Sequence, residues 1–364
     1  MLTPPDESFN HQVAFPHAMV GSSDPSWRER YWVSVQDTQS GGTVLTFGIG
    51  QYPNQDVQEA FACLTHRGRQ HNLRLSRQLL PEPHVMSVGP FSADVVEPFR
   101  NVRFVLGENA SGVTFELDWL GRFQPLLEER HFETNAARVT HDLVRYVQVG
   151  RAQGVLRVDG EELVVEPATW WSERDHSWGL RPLRRTKDQP PVRPDWSLLM
   201  FMPLQFEDFG FHLYLFEDAE GHPTHISCGI MEDEPSRHPD PATAVEHDFE
   251  WEPDAATPTL VRGTVDVAFR SGRRLHFDLE ALPGRAHLRG GGYGGIDGWN
   301  QGQWRAGDTA EHEVWDLSDR TRLGVWGAYS SDHLVRVGCE GTTGYGIIEY
   351  MMLPDHRRYG FVRG

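Results

Sequence analysis

Between Trp170 and Arg181, twelve consecutive residues hold three tryptophans, two carboxylates, one imidazole and two guanidiniums. Indole faces attract apolar or cationic groups, and Glu, Asp and His side chains move protons. Together they suit proton transfer on an apolar or cationic ligand, one group giving a proton and another taking one. If the run is a strand, adjacent side chains point to opposite sides. Glu173, Asp175 and Ser177 then share one face, and Arg174, His176 and Trp178 the other. Asp175 is the first candidate for the acid, His176 the second and Glu173 the third. Trp171, Trp178, Arg174 and the upstream Tyr146 are candidate ligand contacts, whereas Trp170 reads as core. A purely structural use of the same residues is ion pairing at a sheet rim, of Arg174 with Asp175 or Arg181 with Glu173.

The elements that must hold this run in place read as strands. Period-two alternation recurs from Tyr31 to Val35, and Thr43 to Ile49 is β-branched and aromatic. Gly154 to Val158 and Glu161 to Val165 flank Asp159-Gly160, a pair that supplies the positive φ angles of a two-residue hairpin turn. Helical periodicity is sparse, with Ala136 to Tyr146 the best candidate. Ser111 to Arg122 is echoed by Ser271 to Arg285, each preceded by a strand-like segment, at a separation close to half the chain. A polar stretch with four prolines, Pro182 to Pro194, divides the halves. The fold class expected is all-β, with two antiparallel β-barrel domains in tandem. An extension over 1–27 precedes a barrel over 28–183, a linker over 184–195 and a second barrel over 196–364.

In the second half, Gly290 to Gly295 is glycine-dense but lacks the Gly-Lys-Ser/Thr ending of a phosphate loop. It reads as a turn or bulge that brings Tyr293 or Trp304 near a ligand. Glu349 takes the position of Asp175 if the halves are copies, and is a further candidate acid. His222 and His225 have a metal-like spacing without a third ligand in support, so no metal site is expected. No Gly-x-Ser-x-Gly elbow marks a serine hydrolase.

Composition bounds the partners. The 364 residues carry a formal net charge of -18, which disfavours nucleic acid and anionic membranes. Three dispersed cysteines, Cys63, Cys228 and Cys339, suggest neither a disulfide framework nor a thiolate metal site. No apolar run is long enough to span a bilayer, and a cytoplasmic location is expected.

Arg145 to Gly150, the Val-Asp-Gly hairpin of Gly154 to Gly160 and the Arg-Asp-His-Ser-Trp-Gly run of 174–179 together resemble one family. The chain is similar to the tandem lipocalin-like proteins grouped with AttH and carotenoid 1,2-hydratase (hydroxyneurosporene synthase). That resemblance implies two calycin-type barrels side by side with a ligand cavity near their junction. It also implies chemistry of the hydratase or cyclase kind on an apolar ligand, without a dedicated organic cofactor. The expectation is therefore a cofactor-independent enzyme for a terpenoid, steroid or aromatic alkene. The alternative is a lipocalin-like carrier of the same ligand, and self-association into a homodimer is left open.

Overall fold

The computed structural model describes residues 13–135, 138–181, 196–234, 240–253, 257–322, 330–353 and 356–360. Its first half holds β1 (Trp27–Asp37), β2 (Val44–Tyr52), β3 (Val57–His66), β4 (Arg69–Gln78), β5 (Ser87–Val88), β6 (Phe91–Glu97), β7 (Asn101–Leu106) and β8 (Val113–Gly121). β9 (Leu126–Leu127), β10 (His131–Asn135), β11 (Arg138–Val158), β12 (Glu161–Val165) and β13 (Trp170–Leu180) follow. The second half holds β14 (Leu198–Gln205), β15 (Gly210–Glu217), β16 (Pro223–Met231), β17 (Ala242–Trp251) and β18 (Leu260–Phe269). It ends with β19 (Arg274–His287), β20 (Thr309–Asp316), β21 (Ser331–Cys339) and β22 (Thr342–Met352). No helix among the described residues is long and apolar enough to cross a membrane.

The strands form two antiparallel sheets with the same internal order. In the first, β3-β2-β1-β13-β11-β8-β7-β6 lie side by side; in the second, β16-β15-β14-β22-β21-β19-β18-β17. Each sheet curls until its ends touch, β3 and β4 against β5, and β16 against β17. Sheets that curl this way hide their edges and enclose an interior. The two echoed sequences fall at equivalent places, as β7–β8 and β18–β19. Asp159 and Gly160 adopt φ angles of 49° and 84° between β11 and β12, as the hairpin reading required. The candidate helix over Ala136 to Tyr146 is not formed among its described residues. From Arg138 onward this segment is the start of β11, because both neighbouring strands supply ladder partners that outweigh a weak local periodicity.

One strand breaks the equal division of the chain. β20 belongs to the second half by sequence, yet it pairs with β4 and extends the first sheet. The second barrel expected over 196–364 thus contains, by sequence, a strand of the first sheet, and the linker expected at 184–195 lies outside the described residues. The route to β20 is cramped. A Cβ on Gly290 would sit 1.8 Å from Asn72 Oδ1, and one on Gly291 2.4 Å from the Phe61 ring. Arg74 fixes the crossing by donating to the Gly290 carbonyl and, through both terminal nitrogens, to the Glu313 carboxylate.

Phenylalanines fill the lower part of the first barrel, with Phe47, Phe91, Phe104 and Phe115 in mutual ring contact. Phe249, Trp251, Tyr350 and Tyr359 do the same at one end of the second. A third apolar cluster joins the barrels, with Trp32 and Val147 from one sheet packed with Phe201, Tyr214, Leu334 and Ile347 from the other.

Candidate active site

β13 lies between β1 and β11, so every side chain on it has two cross-strand neighbours. Strand alternation sends Arg174, His176 and Trp178 into the first barrel and Glu173 and Asp175 out toward the second. Inside, His176 is opposite Tyr31 of β1 and Tyr146 of β11, with ring centroids 4.4 and 5.4 Å away. These residues line a cavity of about 640 Å³ in the mouth of the barrel. Trp27, Phe99, Val102 and Trp178 supply apolar wall, and residues 13–21, ahead of β1, cover the opening.

The floor of that cavity is polar and ordered. His176 Nε2 is 2.9 Å from Glu29 Oε1, and Gln51 Nε2 donates to Glu29 Oε2 at 2.9 Å. Burial raises the Glu29 pKa, but the bond and charge of His176 outweigh it and bring the carboxyl below its ordinary value. With Glu29 ionised, the hydrogen bond between them is donated by Nε2 of His176. Burial raises both phenols, Tyr146 to about 12, so they remain hydrogen-bond donors at neutral pH.

Beneath them lies Arg174, 2% exposed. It donates to Gln148 Oε1 at 2.9 Å and lies 4.4 Å over the Trp119 ring. No carboxylate among the described residues pairs with it. The ion pair considered between Arg174 and Asp175 is not formed, because the two leave the strand on opposite sides. A buried cation without a counter-ion is costly and holds a positive field in place.

The outward face is a separate place. Asp175 Oδ2 is 4.0 Å from Arg145 Nη1, while Arg145 Nη2 and His212 Nε2 meet Glu128 Oε1 at 2.8 and 2.6 Å. Phe201 and Tyr214 of the second barrel hold the Arg145 guanidinium at 4.6 and 4.1 Å. Burial raises the Asp175 carboxyl despite Arg145 and Arg181. Glu349 stands opposite Asp332 in register, and burial raises both, Asp332 further through the charge of Glu349. Asp175 on β13 and Glu349 on β22 take equivalent places in the two strand orders, opposite Trp32 and Phe201.

Other expected contacts are dispersed. Glu173 is fully buried and accepts a 2.6 Å bond from Gln36, so Arg181 does not pair with it. Trp171 faces away from Trp178, under Arg151 at 3.4 Å and edge-on to Tyr345. Tyr293 packs against Phe61 and Arg30 between the barrels, outside the cavity. Trp304 is 48% exposed and lines no part of it. His222 bonds Asp218 at the surface, while His225 stacks on His131. Three other ligand-type residues converge instead, His131, Glu133 and His141.

Glu29 and Tyr31, which complete the cavity floor, escaped the sequence reading. Their signal was the alternation Glu29-x-Tyr31 at the start of β1, but nothing local says that β1 lies beside β13.

Comparison with solved structures places the fold. An AttH-like protein of Nitrosomonas europaea superposes with a TM-score of 0.57 at 10% identity, covering 94% of this chain and 98% of that one. Kievitone hydratase of Nectria haematococca gives 0.51 at 14% identity, covering 89% and 88%. The architecture is the tandem lipocalin-like one that the resemblance implied. No curated protein matches the sequence. The model of a family of unknown function, DUF8625, matches residues 2–362, and the chain belongs to that family.

Proposed function

We propose that this protein is a cofactor-independent acid–base enzyme, a hydratase, isomerase or cyclase, for an apolar unsaturated small molecule seated in the first barrel. The observation that carries this reading is the buried, carboxylate-free Arg174 beneath His176, Tyr31 and Tyr146. A carrier of a purely hydrocarbon ligand gains nothing from such a cation, which is costly to bury. An enzyme that develops negative charge on a substrate oxygen does.

The substrate class follows from the floor. A double bond conjugated to a carbonyl or phenol oxygen would place that oxygen near Arg174 and the two phenols. His176, oriented by Glu29, would take a proton from water or from carbon and return it at another position, while Arg174 holds the enolate or phenolate charge. Phe99, Trp27 and Trp178 would seat the hydrocarbon part and exclude bulk water. This class of reaction agrees with the name of one structural neighbour, kievitone hydratase.

The test begins with mass spectrometry of apolar compounds retained by the purified protein, before and after long incubation without added cofactor. Turnover by the wild type is expected, with His176→Gln and Arg174→Gln each lowering kcat by roughly 10²-fold or more. Asp175→Asn should keep most of the activity. A retained compound recovered unchanged would mean a carrier. Loss of turnover in Asp175→Asn, with His176→Gln unaffected, would move the chemistry to the face between the barrels.

A further inference from the structure

A second cluster lies apart from the cavity, where β10 and the beginning of β11 lean on the second barrel. His131 and Glu133 are two positions apart on β10 and project to one side, and His141 is opposite Glu133 in register on β11. The Glu133 carboxylate bridges two imidazoles, with Oε1 2.6 Å from His131 Nε2 and Oε2 2.8 Å from His141 Nδ1. All three ligand atoms fall within 4.8 Å of one another. The His131 ring stacks on His141 at 4.7 Å and 11°, and on His225 of β16 at 4.5 Å and 17°.

Three near-parallel imidazoles around one carboxylate satisfy hydrogen bonding poorly. His131 Nδ1 and His225 Nε2 are buried without a hydrogen-bond partner. Buried polar atoms of this kind call for an explanation, and an ion or its bound water is a common one. Two imidazole nitrogens and a carboxylate oxygen are also the donor set of known metal sites with three protein ligands. The observed N···O spacings are shorter than the edges of about 3.3 Å in a tetrahedron built on zinc–ligand distances. To admit an ion the carboxylate would have to draw back and the stacked His131 and His141 rings turn, so that both in-plane lone pairs meet at one point.

We propose that His131, Glu133 and His141 form a binding site for a divalent first-row transition-metal ion of the zinc type, with His225 of the second barrel beside it. None of these residues lines the cavity, so the site does not depend on the proposed enzymatic reading. Its role is structural: it fastens the β10–β11 hairpin at the seam between the barrels.

The experiment uses the full chain stripped with a chelator, then titrated with Zn²⁺ or Co²⁺. One equivalent should bind at micromolar or tighter affinity, and Zn²⁺ should raise the thermal midpoint. X-ray absorption of the wild-type zinc complex should report two imidazoles and oxygen at roughly 2.0–2.2 Å. Glu133→Gln and His141→Gln should each weaken binding by at least about 100-fold, with metal-free melting near that of the wild type. His222→Gln should bind as the wild type does. Absence of stoichiometric uptake by the stripped wild type would overturn the proposal. So would unchanged affinity in both ligand variants, or an absorption spectrum without paired imidazoles, which needs no variant to fold.

Discussion

Glu173 is a carboxylic acid with no exposure, one amide donor on Oε2 and a partnerless Oε1. Burial holds its pKa well above the ordinary 4.5. A carboxyl raised in the folded state contributes stability fully below its unfolded pKa and loses it as pH rises toward the folded one. Glu173→Gln keeps the shape and the carbonyl acceptor for Gln36. Its thermal midpoint should therefore match the wild type in acid and exceed it progressively above about pH 4.5, measured by melting across pH. Arg145 has the opposite character, because it neutralises Glu128, which burial would raise but Arg145 and His212 bring down to about 2. Arg145→Met should destabilise by about 3–5 kcal/mol by leaving a buried carboxylate uncompensated. Adding Glu128→Gln should recover part of that loss in a denaturant double-mutant cycle. The facing of residues 173–178 was legible because alternation is a local property. The meeting of acid and imidazole in one hollow was not, since the acid beside His176 is Glu29, 147 positions away.

Among the elements, β20 departs most from what the chain order suggests. Its Glu311 and Glu313 meet Arg74, and Asp316 stands opposite Arg69, so a strand rich in acid seats on one rich in arginine. Sequence reading found the Gly290–Gly295 stretch but not its purpose, because the tight packing comes from Phe61 and Asn72 of the other half. Gly291→Ala drives a methyl into the buried Phe61 ring and should cost about 1–3 kcal/mol, read by chemical denaturation. Gly42→Ala, whose Cβ meets only Ser40 Oγ at 3.9 Å, should be nearly neutral. The cover ahead of β1 acts on access instead. Removing residues 1–21 should speed release of an apolar fluorescent probe from the cavity, followed by stopped flow, while the melting temperature shifts little.

For the whole molecule, two barrels of one strand order explain why repeat, hairpin and alternation signals sufficed for the fold class. Those signals are periodic and recur in both halves. They are silent on where a hollow lies, since that depends on how far phenylalanine and tryptophan rings reach across each interior. Independent domains would survive being cut apart between 181 and 196. Here the first half alone lacks β20, so residues 1–181 should aggregate on expression and become soluble when residues 196–364 are co-expressed, judged by gel filtration.

The same borrowed strand bears on synthesis. After Leu180 leaves the ribosome, about 130 residues must still be made before Thr309 begins the strand that covers β4. At roughly 5–20 residues per second, this wait is on the order of ten seconds. Through it the nascent barrel presents a bare ladder whose Arg69 and Arg74 repel a second copy of themselves. Charges that later clasp an acidic strand thus first serve as a guard against premature pairing between neighbouring chains on the same message.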